Sequence, residues 1–165
     1  MAAPLAFDAV VAAPFGGIGV RIGEGRIIES VYLPASIKAQ APRNPLAREA
    51  VRQIRAYLRD PRHGFDLPLA ERGSEFQRRV WKQIAAIPPG KTVSYGDIAR
   101  HLRTGPRAVG QACGANWFCM IIPCHRVIAA GGGLGGFGSS EQGGFHLNVK
   151  RWLLAHEGIK AGEGA

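Results

Sequence analysis

Cysteine is scarce in this chain: Cys113, Cys119 and Cys124 are the only three, and no Cys-x-x-Cys pair occurs. An odd number of thiols without a secretory leader argues against a disulfide framework. Zinc is the other structural use, with His125 as a fourth ligand, but gaps of five and four residues fit no common zinc knuckle. No metal is therefore expected. Long apolar runs are also missing, so nothing reads as a membrane span. The start, Met1-Ala2-Ala3-Pro4-Leu5, lacks the basic and apolar parts of a signal peptide. A cytoplasmic protein is the expectation.

Acidic residues are few. Twelve Asp and Glu face 21 Lys and Arg, a net charge of +9. The excess is uneven: residues 1–72 carry ten basic against seven acidic groups, and residues 73–128 carry eight against two. That asymmetry points to a polyanion-binding face in the second part, although a well-solvated basic surface would give the same count. With 46% hydrophobic residues among 165, the chain can bury the core of one compact unit or two small lobes.

The pattern reads as an α+β fold in two parts. Residues 1–70 form a small α/β lobe, a short antiparallel sheet plus a helix. Residues 71–165 form a mostly helical domain with a helix-turn-helix. In the first part, Phe7 to Ala13, Ile18 to Ile22 and Arg26 to Leu33 are short β-rich runs, separated by Pro14-Phe15-Gly16-Gly17 and Gly23-Glu24-Gly25. Leu46, Ala50, Val51, Ile54 and Leu58 then recur at helical spacing. Residues 61–73 read as a linker. Beyond it, Ser74 and Gln77 form a capping box, with Phe76, Val80, Ile84 and Ile87 on one face until Pro88-Pro89-Gly90. Ser94 and Asp97 open a second short helix. Arg103-Thr104-Gly105 leads into a third, whose first turn holds Pro106 and Arg107. A last helix runs from about Val149, with Trp152 and Leu153 inward and Gly158 as its stop.

Chemistry concentrates in Pro123-Cys124-His125-Arg126-Val127. A free thiol is mostly protonated near neutral pH, so a nucleophilic cysteine needs a base or a positive environment. His125 and Arg126 can supply both. Neighbours in an extended chain point to opposite faces, so His125 would act on Cys124 through a water. The ordinary alternative is a cysteine serving as a small core hydrophobe, which is the reading for Cys113 and Cys119.

This segment resembles the active-site signature of the O6-alkylguanine-DNA alkyltransferases, the methylated-DNA–protein-cysteine methyltransferases. Val93-Ser94-Tyr95-Gly96, Arg107-Ala108-Val109-Gly110-Gln111, Asn116, Gly133-Leu134-Gly135-Gly136 and Arg151 to Gly158 follow in that family's order. The resemblance covers about residues 75–158; residues 1–70 match in type alone. It implies direct DNA repair, in which the alkyl group of O6-alkylguanine moves once and for good onto Cys124, with O4-alkylthymine as a further candidate substrate. His125 would be the water-linked base, oriented by Glu157, and Asn116 would brace the turn. Tyr95 would rotate the phosphate and donate a hydrogen bond to the purine. Arg107 would fill the space of a flipped-out base, with Ser94, Ala108, Gln111 and Arg126 also on DNA. Val127, Trp117, Cys119, Phe137 and Gly138 would line the base pocket, the carbonyls of Cys124 and Val127 reading the exocyclic amine. Further implications are a double-stranded DNA partner bound through its minor groove, a monomer in solution and no cofactor.

The chain departs from the family pattern in three places. Trp117 and Cys119 stand where prolines are common, the stretch between Tyr95 and Arg107 is short, and Phe137 replaces a frequent tyrosine ahead of a long Ser139 to Leu147 segment. Two rival readings stay open: a DNA-binding module without the reaction, and a Cys-His hydrolase.

Overall fold

The computed structural model describes residues 6–134 and 144–160, and the chain divides into two units, Met1–Glu71 and Arg72–Ala165. The first unit begins with an antiparallel meander of β1 (Ala9–Ala13), β2 (Gly16–Gly23) and β3 (Arg26–Leu33), in that order. Both reversals fall at the glycine-rich breaks. Gly16 is obligatory at the first: its φ is +138°, and a Cβ there would stand 2.2 Å from the Leu33 carbonyl oxygen. At the second, Glu24 and Gly25 both take positive φ, the two-residue turn whose twist suits a hairpin.

Ile18 and Val20 alternate along β2 and are fully buried. Helix α1 (Pro45–Arg59) buries Ala47, Ala50, Val51, Ile54 and Tyr57. Asn44 caps it by accepting from the Ala47 amide at 2.8 Å, with Pro45 in the first turn. Asp8 ties strand to helix, since its carboxylate accepts from Ile22 N at 2.7 Å and from Asn44 Nδ2 at 3.2 Å.

Residues 61–73 do not behave as the expected linker. The Gln53 amide brackets Asp66, donating to its carbonyl at 2.9 Å and accepting from its N–H at 2.8 Å. Pro68 and Ala70 exchange backbone hydrogen bonds with Ile27, each 2.8 Å long. These bonds are made singly rather than in a repeating ladder, so no sequence periodicity marks the segment.

In the second unit, α2 (Glu75–Ala85) starts at the capping box, with Ser74 and Gln77 bonded reciprocally. Trp81, which the helical spacing does not single out, is buried beside Val80 and Ile84 and donates from Nε1 to the Ala112 carbonyl at 2.8 Å. A two-residue strand β4 (Val93–Ser94) leads into α3 (Tyr95–Leu102), and α4 (Pro106–Gly114) follows a three-residue turn. The left-handed residue of that turn is Arg103, at φ 58° and ψ 49°, rather than Gly105. Strand β5 (Val127–Ile128) pairs in parallel with β4, Val93 opposite Val127 and Ser94 opposite Ile128.

The last helix, α5 (Gly144–His156), starts five residues before the expected position, so residues 144–147 are helical and not loop. Trp152 is half-buried and stacked on His156 with ring centroids 4.7 Å apart. The inward stripe is Val149, Lys150, Leu153 and Leu154, which turns Trp152 onto the helix flank. Gly158 ends the helix at φ +83°, with Ile159 N bonded back to Leu154 O. Among the described residues no helix is long and apolar enough to cross a membrane.

Candidate functional site

The apolar run after Asn116 is bent sharply before it reaches Pro123. Met120 takes φ 71°, and Ile122 N returns to Phe118 O at 2.8 Å. Asn116 holds this bend from inside. Its Oδ1 accepts from Phe118 N at 2.9 Å, while Nδ2 donates to Ile122 O at 2.9 Å and to the Cys124 sulfur at 3.2 Å. Cys124 to Arg126 then form one turn of 3-10 helix, which sends consecutive side chains in different directions. The pairing of β5 with β4 places this turn beside the start of α3, where Tyr95 sits.

Cys124 is buried. Interaction with the Cys113 thiol and burial raise its pKa well above the usual thiol value; Cys119 adds to the rise, and the Asn116 amide opposes it. The sulfur is thus a protonated thiol at rest, and a nucleophile has to be generated when substrate is present. Cys113 and Cys119 are half-buried rather than core residues.

His125 is fully buried, with Nε2 2.7 Å from Glu157 Oε2. Glu157 also takes two hydrogen bonds from Arg126, Nε to Oε1 at 2.9 Å and Nη2 to Oε2 at 3.0 Å, and one from Gly90 N at 3.2 Å. A carboxylate so surrounded by donors is anionic and acceptor-only. It therefore accepts a hydrogen bond from the N–H at His125 Nε2, leaving the lone pair on Nδ1, which is buried and has no hydrogen-bond partner among the described residues. Glu157 follows the last turn of α5, where the helix dipole disfavours a negative charge. Arg126 and His125 offset that cost.

Burial is the main cause lowering the His125 pKa below its ordinary value, while Glu157 pulls it back up. Below pH 6.5 the unfolded chain binds a proton that folded His125 refuses, so this contribution to stability is complete above that value and is lost as pH falls. Thermal unfolding followed from about pH 8 to pH 5 should show the loss, and His125→Gln should show less of it. Identical acid sensitivity in the two proteins would exclude His125 as its source.

Arg126 corrects an expectation. It is expected on DNA, but its guanidinium is buried, paired with Glu157 and bonded through Nη1 to the Ile87 carbonyl at 2.7 Å. These bonds commit the guanidinium to the interior, and its work is to hold Glu157.

Lys150 is a residue that the sequence reading does not name. Its ammonium group, wholly buried, donates to the carbonyls of Val127, at 2.8 Å, and of Leu134, and lies 3.5 Å from the Tyr95 hydroxyl. Burial lowers its pKa to about 8, against an opposite pull from Cys113 and Cys124. A signal is present in the sequence: Lys150, Leu153, Leu154 and Glu157 fall at spacings of three and four on one helix face. Val127 is buried, so the carbonyl expected to read a base already shares one lone pair with Lys150.

The remaining expected residues lie as follows. Tyr95 is half-buried, and burial raises its phenol pKa, keeping it a proton donor. The Ser94 hydroxyl caps α3 by accepting from Asp97 N at 3.0 Å. Arg107 and Gln111 are exposed on α4 and Ala108 is half-exposed. The N-terminus of α4 has no side-chain cap, which leaves its first amides for an anion. Trp117 is exposed, with the Arg72 guanidinium 4.2 Å above its ring. Phe137 and Gly138 lie outside the described residues.

Comparison with known proteins places this geometry. Residues 75–159 match the family model described as 6-O-methylguanine DNA methyltransferase, DNA binding domain. The methylated-DNA–protein-cysteine methyltransferase of Mycolicibacterium paratuberculosis is 44% identical over 135 residues, 80% of this chain and 77% of that protein. Its counterpart in Methanosarcina acetivorans is 43% identical over 113 residues, 67% of this chain and 69% of that protein. The crystal structure of Mycobacterium tuberculosis O6-methylguanine methyltransferase superposes with a TM-score of 0.75 at 35% identity, covering 90% of both chains. A structure of the same bacterium's protein in complex with DNA gives 0.73 at 35% identity, over 90% of this chain and 91% of that one.

Proposed function

The chain belongs to the methylated-DNA–protein-cysteine methyltransferase family, and from that premise we propose that Cys124 is the sulfur that takes the alkyl group from O6-alkylguanine in double-stranded DNA. The activity itself is direct DNA repair by alkyl transfer to a protein cysteine. The observation that carries the assignment is the joined network around one buried thiol: Asn116 on the Cys124 sulfur, and His125 held by Glu157 and Arg126.

The steps follow from the chemistry. The target carbon lies on a stacked base, so the nucleotide is flipped out to reach a buried sulfur. His125 Nδ1 takes the Cys124 proton through a water, since Nε2 is committed to Glu157. Sulfur then bonds to the alkyl carbon as the carbon–O6 bond breaks, and the electron pair of that bond moves into the guanine ring. Tyr95, kept protonated by burial, donates a hydrogen bond to that ring and helps guanine leave. The product is a thioether with no activated carbon to release, so one molecule repairs one lesion. Methyl transfer to protein should accordingly stop at one equivalent in a titration with duplex O6-methylguanine; continued turnover would overturn the reading.

Arg107, exposed on the uncapped first turn of α4, is the side chain that fills the space of the flipped base, with α4 in the minor groove. Arg107→Ala should slow repair in duplex DNA by about a hundredfold while leaving reaction with free O6-benzylguanine nearly unchanged. Equal slowing of both substrates would remove the finger role. A monomer suffices for all these steps, because every group named comes from one chain.

A further inference from the structure

Net positive charge in the first unit is confined to one place. Outside α1, residues 1–71 carry five basic and six acidic groups; α1 carries four arginines and one glutamate. Arg48, Arg52, Arg55 and Arg59 are all exposed. At 3.6 residues per turn they fall within an arc of about 60° and extend over about 16 Å of helix. Together with Pro42 and Val51 they line a groove of about 350 Å³. Arg52 is paired with Glu49, whereas the side chains of Arg48, Arg55 and Arg59 have no ion pair or hydrogen bond among the described residues. Like charges stacked on one face destabilise an isolated helix, and no packing contact requires them there.

We propose that this arginine face of α1, on the first unit, is a second binding surface for the sugar-phosphate backbone of duplex DNA, additional to the α3–α4 region of the second unit. Guanidinium groups one turn apart match a row of phosphates, and an apolar floor of one proline and one valine, with no aromatic side chain, is small beside the anchors that hold a protein partner or a bilayer. The proposal rests on the DNA-repair reading, which makes DNA the polyanion this chain meets.

The test compares wild-type protein with R48Q/R55Q/R59Q, which keeps the Arg52–Glu49 pair and places good helix formers on an exposed face. Binding to an undamaged duplex of about 30 base pairs is measured across roughly 50–200 mM salt. For every phosphate that the variant no longer neutralises, the plot of log affinity against log salt should flatten by about 0.9. The triple variant should therefore be shallower by about two to three, with affinity near 50 mM down about tenfold or more. Benzyl transfer from free O6-benzylguanine to Cys124 should stay at the wild-type rate, which certifies the fold. An unchanged slope and affinity in the variant, with wild-type protein binding normally, overturns this surface alone. Absence of any duplex binding by wild-type protein overturns the DNA reading and this surface with it. Loss of binding to phosphatidylserine vesicles, with DNA binding intact, would assign the face to lipid and overturn it too.

Discussion

Replacing Cys124 by serine should abolish methyl transfer while leaving the fold and duplex binding in place. The serine hydroxyl occupies nearly the volume of the thiol and can still accept from Asn116 Nδ2, which lies 3.2 Å from the sulfur. What it lacks is acidity. A hydroxyl ionises far less readily than even a thiol whose pKa burial and Cys113 have raised, and the neutral His125 cannot remove its proton to a useful extent. The rate should fall by about a thousandfold or more. Mass spectrometry after one equivalent of duplex O6-methylguanine is the check. Wild-type protein should carry a single methyl group on the peptide containing Cys124, and the variant none. Because Cys113 interacts with the Cys124 thiol strongly enough to raise its pKa, a methyl group found on Cys113 instead would refute the assignment.

Glu157→Ala should cost the second unit about 3–5 kcal/mol, the usual penalty for leaving one member of a buried ion pair without its partner. Arg126 would keep the Ile87 carbonyl and lose both carboxylate bonds. His125 and Gly90 would lose theirs as well. Thermal unfolding reads this directly, and a change below about 1 kcal/mol would show that the network contributes little. Glu157→Gln separates stability from chemistry. The glutamine oxygen can still accept from Arg126, but its NH₂ group, facing His125 Nε2, is a donor where an acceptor stood. The imidazole then avoids a donor–donor clash by moving its proton to Nδ1, and the base is lost. Single-turnover transfer should fall by about a hundredfold or more, a larger effect than the loss of stability implies. A Gln variant that keeps the wild-type rate would exclude tautomer control by Glu157.

Several local features are legible in the sequence because they depend on residues within a few positions of each other. The Ser74–Gln77 capping box, the hairpin breaks at Gly16 and Gly25, the Gly158 stop and the start of α4 at Pro106 are each one turn of chain, and each is present. The linker reading of residues 61–73 fails for the opposite reason. Gln53 reaches Asp66 across thirteen positions, and Ile27 reaches Pro68 across a longer gap, which no local composition reveals. The start of α5 escapes a local reading because its buried stripe begins only at Val149, five residues into the helix.

By itself, then, the sequence determined the α+β class, the basic second half and, through ordered motifs, the family, and it singled out Cys124 as the candidate acceptor. Tertiary structure decided what the residues beside that cysteine do. Arg126 turned from a DNA contact into the buried partner of Glu157, and Lys150 came in from an amphipathic helix to hold the carbonyls of Val127 and Leu134. The physical reason is common to both. A charged side chain looks like a surface residue in any local window, and only a long-range partner can repay the cost of taking it out of water.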